Sequence, residues 1–202
     1  MKSQLRSIIK PAMVLFVICL VVSASLALTY AVTKDTIEER AELDAKNARI
    51  EVLADANSFN QVKNIEKFIN EKPELSIVRE VYEGVKDDAT VGYVFTVVSK
   101  GYGGDINVTV GINNKGEITG VKIGDNSETP GLGLRVTDDS FLSQFIGFVP
   151  SEPLQAVKRV KTKKEEIEAI SSATISSRAV TKAVQAAVDM ASQLLEEGGM
   201  AE

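Results

Sequence analysis

The chain has 202 residues, which accommodates one ordinary domain with an appendage, and its 44% apolar and 25% charged residues argue for a folded core rather than disorder. It contains no His, and its one Cys, Cys19, lies inside a long apolar run, which excludes imidazole-based triads, zinc sites and iron–sulfur clusters. Any redox work must therefore be carried by a bound cofactor.

From Pro11 to Val32 the sequence holds no charged residue and is mostly Val, Leu, Ile, Ala and Phe. At about 1.5 Å per residue this run is long enough to cross roughly 30 Å of hydrocarbon as a helix. A cleaved signal sequence is the competing reading, with Lys2, Arg6 and Lys10 as its basic region and Ser23, Ala24 and Ser25 near a cleavage point. The apolar run continues past those small residues, which favours a retained anchor, and the three leading cations place the N-terminus in the cytoplasm. Without those three, 20 Lys and Arg face 28 Asp and Glu, so the exported part carries about −8. Nucleic acid is a poor partner for such a surface.

Residues 33–57 are rich in helix formers and lack Gly and Pro, predicting a helix that continues from the span. Residues 60–70 predict a second short helix, ended by Lys72-Pro73. Strand signals follow from Ser76, Val91, Asp105 and Gly116. Ile106, Val108, Val110 and Ile112 alternate on one face of the third, and "NNKG" supplies a hairpin turn. Short connections predict an antiparallel meander. A turn-rich loop, "DNSETPGLGLR", precedes a short helix from Asp138 or Asp139 to Phe145, with Asp as its cap. "LQAVKRVKT" from Leu154 reads as a further strand, followed by the one basic cluster of the exported part around Lys158, Arg159, Lys161, Lys163 and Lys164. The final helix presents Val180, Val184, Ala187, Ala191 and Leu194 at helical spacing, an apolar stripe to lay on the sheet. The fold class is therefore α+β: an antiparallel sheet flanked by helices, preceded by one transmembrane helix.

Two stretches carry chemistry. In "SSATISSRAV", residues 171–180, Ser176 or Ser177 reads as a helix cap worth about 1 kcal/mol, and the free amides behind such a cap suit a phosphate. "ETPGLG", residues 128–133, reads as a type II turn with Pro130 and Gly131 at its corners.

"EAISSATISS", residues 168–177, resembles the flavin attachment motif of FMN-binding domains, Asp-x-x-Ser-Gly-Ala-Thr-x-x-Ser or Thr. Ser171, Ala173, Thr174 and Ser177 match it, Glu168 replaces its Asp and Ser172 replaces its Gly, a residue suited to φ > 0 or to close approach of a cofactor. "ETPGLG" and "GYGG", residues 101–104, are similar to two further hallmarks of that family. Over essentially the whole chain the resemblance is to the G component of Rnf electron transport complexes. The homologous C component of the sodium-pumping NADH:quinone reductase shares the attachment motif but is typically longer.

The resemblance implies FMN joined by a phosphoester to Thr174, installed by a flavin transferase that uses FAD and releases AMP. It implies cofactor contacts from Glu128, Thr129, Gly131, Leu132, Gly133, Ser171, Ser172, Ala173 and Ser177; on charge alone, the Lys158 to Lys164 region is the expected countercharge for the phosphate. With the apolar run, the leading cations and the helix formers, the expected organisation is a cytoplasmic segment over residues 1–10, a transmembrane helix over 11–32, a helical connector over 33–74 and an extracytoplasmic domain over 75–202, FMN-binding by the resemblance. The expected role is an electron-carrying component, without catalysis of its own, among the membrane and peripheral subunits of an ion-translocating ferredoxin:NAD⁺ oxidoreductase. A role like that of the quinone reductase's C component, a structural or assembly role with a degenerate flavin site, and a self-contained flavin reductase are the alternatives.

Overall fold

The computed structural model describes the backbone of residues 2–63 and 65–199, and the side chains of residues 9–63 and 65–196. Lys2 and Arg6, two of the cations behind the expected orientation, lie outside the described side chains. Contacts divide the chain into two units, Met1–Asp44 and Ala45–Glu202.

Helix α1 spans Lys2–Val52 without interruption, so the predicted run-on from apolar span to charged helix is observed. Its stretch from Ile9 is long and apolar enough to cross a membrane, and none of the apolar window is buried within the protein. Val14, Phe16, Leu20 and Leu26 stand more than half exposed, an apolar load that only a non-aqueous surrounding accommodates.

In the second unit five antiparallel strands run in sequence order: β1 (Ser58–Gln61), β2 (Val78–Lys86), β3 (Ala89–Lys100), β4 (Asp105–Asn113) and β5 (Ile118–Asn126). The predicted helix over residues 60–70 is corrected here. Residues 58–61 pair with β2, and only Glu66–Glu71 form the helix, α2. Each hairpin has a local cause. Asp87 and Asp88 both take positive φ between β2 and β3, as a two-residue turn requires, and Gly116 (φ +80°) closes the "NNKG" turn.

The alternation in β4 buries Ile106, Val108, Val110 and Ile112 to 1% exposure or less. They meet helix α4 (Thr174–Gly199), whose Val180, Val184, Ala187, Ala191 and Leu194 stripe is buried as predicted. Each fully buried Val or Ile removes roughly 2 kcal/mol of apolar exposure, so this helix–sheet layer is the principal core. A smaller cluster lies around Val94, where Val52, Leu53 and Ala56 at the end of α1 pack with Phe59 and Tyr82. Gly111 and Gly120 let the Val52 backbone touch the sheet, and Thr119 Oγ1 donates to the Val52 carbonyl.

Between β5 and α4 the chain forms a 3-10 turn, Gly133–Thr137, then α3 (Asp139–Leu142) and a second 3-10 turn, Ser143–Phe145. Asp138 occupies the cap position of α3, but its carboxylate faces Arg135 Nε at 3.5 Å and makes no cap hydrogen bond. The strand expected from Leu154 is the short β6 (Gln155–Val157), paired in parallel with β7 (Glu166–Glu168) in a separate two-stranded sheet. β7 delivers the chain to α4.

Candidate functional site around Glu128 and Thr174

The start of α4 lies two to three residues before the expected cap. Thr174 is its first residue, which leaves Ala173, with no side-chain acceptor, at the cap position. The first-turn amides of Thr174, Ile175 and Ser176 have no acceptor within the helix. Ser177 works from inside the first turn instead: its hydroxyl accepts from the Ile170 N–H (3.0 Å) and donates to the Ala173 carbonyl (3.0 Å).

Ahead of the helix, the Ala173 N–H donates to the Ile170 carbonyl at 3.0 Å, closing a turn whose third residue, Ser172, has φ +69°. That is the type II pattern, which favours Gly at this corner. The Gly of the attachment motif thus has a physical reason, and Ser172 occupies its conformation at a cost. Glu168, at the head of the motif, is exposed, and its backbone is clasped by the Gln144 amide, which donates to its carbonyl (3.3 Å) and accepts from its N–H (2.8 Å).

The hydroxyls of this stretch divide by helical phase. At 100° per residue, Ser176 points away from Thr174 and is buried, as is Ser177. Thr174 is half-buried, Ser171 and Ser172 are exposed, and none of these three hydroxyls has a hydrogen-bond partner among the described residues.

Ser176 donates to Glu128 Oε2 at 2.9 Å. The other oxygen of that carboxylate accepts the N–H groups of Tyr102 (2.7 Å) and Gly103 (3.2 Å). Glu128 is 6% exposed, so one buried carboxylate ties "GYGG", "ETPGLG" and the start of α4 into one body. Two glycines make room for it: a Cβ at Gly101 would overlap Oε1, and one at Gly133 would overlap Oε2 and crowd Ser176 Oγ. The resemblance points Glu128 at the cofactor, and the sequence gives no role to Tyr102 or to Ser176 beyond that of a cap. The one signal available for the linkage is an acid placed between turn formers.

The remainder of "ETPGLG" faces outward. The Thr129 carbonyl accepts from Leu132 N–H (3.1 Å) and Leu134 N–H (3.1 Å), and Gly131 has φ +77°, so the predicted turn at Pro130 and Gly131 is present. Thr129 and Gly131 are exposed, nothing lies within 4 Å of where a Gly131 Cβ would be, and Leu132 is 47% exposed. Tyr102 at 74% and Ile175 at 52% add apolar surface from the other two motifs.

The basic cluster is partly neutralised. Arg159 Nη1 donates to Glu166 Oε2 (2.9 Å), the Thr162 N–H and hydroxyl donate to the same oxygen (2.7 and 2.9 Å), and Lys163 pairs with Glu152 at 2.8 Å. The Arg159 and Thr162 hydrogen bonds hold the Glu166 carboxyl down at about 2. Arg159 and Lys163 are therefore engaged with acids, which leaves Lys158, Lys161 and Lys164 of the expected countercharge without ion pairs among the described residues.

Known proteins supply the frame for this geometry. A family model described as FMN-binding domain matches residues 101–189, a range that takes in all three stretches joined at Glu128, and one described as RnfG N-terminal region matches residues 1–52. The G component of the Na⁺-translocating ferredoxin:NAD⁺ oxidoreductase complex of Acetobacterium woodii is 40% identical over 193 residues, covering 92% of both chains. Its counterpart in the proton-translocating complex of Clostridium ljungdahlii is 32% identical over 176 residues, covering 87% of this chain and 86% of the relative. The crystal structure of Shewanella oneidensis NqrC matches the fold with a TM-score of 0.50 at 20% identity, over 77% of this chain and 74% of that one. With an apolar helix of spanning length at its N-terminus, the protein is a membrane protein. It belongs to the RnfG family of ion-translocating oxidoreductase components and carries that family's FMN-binding domain.

Proposed function

We propose that this protein is the flavin-bearing electron carrier of an ion-translocating ferredoxin:NAD⁺ oxidoreductase, with FMN joined through a phosphoester to the Thr174 hydroxyl. The observation that carries the reading is the Glu128 linkage, which fixes the free hydroxyl of Thr174 and the open Gly131–Leu132 wall on one body. FMN held there supplies one- and two-electron transfer, for which the chain has no group of its own.

The residues fit that cofactor. Thr174 offers a hydroxyl that no other group among the described residues engages, at the start of a helix whose dipole and free amides favour an anion. Ser171 and Ser172 present free hydroxyls beside it. Gly131 leaves room for close approach of a planar ring, Leu132, Tyr102 and Ile175 supply apolar surface, and the Glu128 carboxylate is held away from that surface by its three donors.

In this reading the N-terminus is cytoplasmic, α1 crosses the membrane once, and the flavin domain works on the far side among the other subunits of the complex. A flavin transferase loads it there from FAD, and the covalent link prevents loss of a cofactor that could not be replaced outside the cytoplasm. The test is co-expression of the full chain with a flavin transferase, followed by denaturing electrophoresis under ultraviolet light and intact-mass measurement. A fluorescent band with the added mass of FMN less one water is expected, since transfer from FAD releases AMP, and Thr174→Ala is expected to remove both. A dark wild-type band sinks the carrier role; a fluorescent Thr174→Ala variant sinks the attachment site.

A further inference from the structure

A phosphodiester at Thr174 carries a negative charge beside the helix, and the structure offers a cation for it outside the basic cluster. α4 has no acidic residue in its first turn, and the first charged residue along it is Arg178. That order is the reverse of what the helix dipole favours in an otherwise empty N-terminus. Arg178 is exposed and has neither an acid nor a hydrogen-bond acceptor among the described residues, whereas Arg159 and Lys163 are held by Glu166 and Glu152.

Position makes the assignment specific. Arg178 follows Thr174 by four residues, so it sits about 40° round the helix and about 6 Å along it, on the same face. Helical side chains lean toward the N-terminus, so the turn that begins at Thr174 is within reach of the Arg178 side chain; Arg178 also borders a cavity lined by Glu74, Leu154, Gln185 and Asp189, and pairs with neither acid among the described residues. Its planar fork of donors matches two phosphate oxygens at once, as a lysine cannot. Ala173 at the cap position and the hydroxyls of Ser176 and Ser177, engaged elsewhere, leave that anion otherwise held only by backbone amides and the exposed Ser171 and Ser172.

We infer that Arg178 is the positioning residue for the phosphate of the tethered flavin, clamping it against the first turn of α4. The inference rests on the Thr174 reading above. The rival cation is Lys158, which follows Val157, whose carbonyl accepts the Ala169 N–H at 2.8 Å and so brings the end of β6 close to the attachment loop. Lys161 and Lys164 lie farther along the exposed loop that leads away from β6 toward β7.

The experiment compares the full chain as wild type, Arg178→Gln, Arg178→Lys and Lys158→Gln, each made with and without a flavin transferase and checked for loading by intact mass. The readouts are the rise in Tm on loading, at low and high salt, and the fluorescence anisotropy of the attached flavin. Wild type is expected to gain stability on loading, more at low salt, and to hold its flavin with high anisotropy. Arg178→Gln is expected to lose roughly half of that rise or more, with its salt dependence, and to show lower anisotropy. Lys158→Gln is expected to behave as wild type. A loaded Arg178→Gln with an undiminished rise and anisotropy overturns the inference and leaves the Thr174 reading intact, as does loss of the rise in Lys158→Gln alone. A wild type that takes up no flavin overturns both. Should the transferase fail to load Arg178→Gln, Arg178→Lys decides: a rise smaller than wild type upholds the clamp, and an equal rise overturns it.

Discussion

Removing the Glu128 carboxylate should loosen three segments at once, and the structure sets the size of the effect. Glu128→Ala leaves the Tyr102 and Gly103 N–H groups and the Ser176 hydroxyl without their acceptor, all three bonds being charge-assisted. Such bonds contribute about 1.5–3 kcal/mol each when lost singly. The sum is an overestimate, because the loop carrying Tyr102 is exposed and water replaces part of the loss, whereas Ser176 is 1% exposed and has no water to turn to. A net loss of about 3 kcal/mol follows, or a fall of roughly 6–12 °C in Tm for a chain of this size. Glu128→Gln should cost only about 1–2 kcal/mol, since its amide oxygen still accepts from Tyr102 and Gly103 and its amide nitrogen donates to a rotated Ser176 hydroxyl. The measurement is thermal unfolding of the full chain in detergent, followed by circular dichroism. A double-mutant cycle with Ser176→Ala isolates the buried bond, with an expected coupling of about 1–2 kcal/mol. Glu128→Ala within about 0.5 kcal/mol of wild type would falsify the idea that this carboxylate joins the three motifs.

Further tests address other parts of the domain. Ser172→Gly should stabilise by roughly 0.5–1 kcal/mol, since relief of the positive φ exceeds the entropy that Gly adds to the unfolded chain, and should speed flavin loading; an unchanged midpoint in urea would count against strain at this turn. Glu166 should titrate at about 2 by carbon-detected NMR. Because that value lies below the ordinary glutamate range, its hydrogen bonds to Arg159 and Thr162 stabilise the loop above that range and lose their effect as the pH falls through about 2. Arg159→Gln should return the carboxyl toward its ordinary value, and no change on that substitution would refute the pairing. Gly111→Ala should cost about 1–3 kcal/mol, because its Cβ would overlap the backbone of Val52 where α1 ends on the sheet. A neutral thermal midpoint would show that this contact gives way freely.

The meander and the α4 stripe were legible because each rests on a local period: alternation over nine residues in β4, and apolar residues every three or four positions in α4. β1 was not, since "SFNQ" has one apolar residue, Phe59, and owes its extended form to pairing with β2. The start of α4 was misplaced for a related reason. A run of five hydroxyl residues invites a side-chain cap, yet Ser177 makes its bonds from within the first turn and allows Ala173 to hold the cap position. Glu128 lay beyond reach for another reason. Its partners are 25, 26 and 48 residues away, and no local pattern in one sequence encodes a contact at that separation.

That long-range contact gives Ser176, one of the five hydroxyls in this run, a role apart from the proposed attachment, which requires one. Positions 174 and 176 differ by about 200° around the helix, so a side chain that reaches inward to Glu128 and one left at the surface must come from different residues. Ser176 and Ser177 hold the helix start against the ETPGLG loop and the Ile170 backbone, and that engagement removes them as acceptors of a phosphoryl group. Thr174 is left as the first helical residue, half-buried and without a hydrogen-bond partner among the described residues, on a helix start tied down by the Ser176 and Ser177 hydrogen bonds. The consequence is asymmetric: Thr174→Ser should retain attachment because the position supplies the geometry, whereas Ser176→Thr should gain no attachment, because its hydroxyl remains directed at Glu128. Loading of a Thr174→Ala, Ser176→Thr double variant would refute the claim that helical phase selects the site.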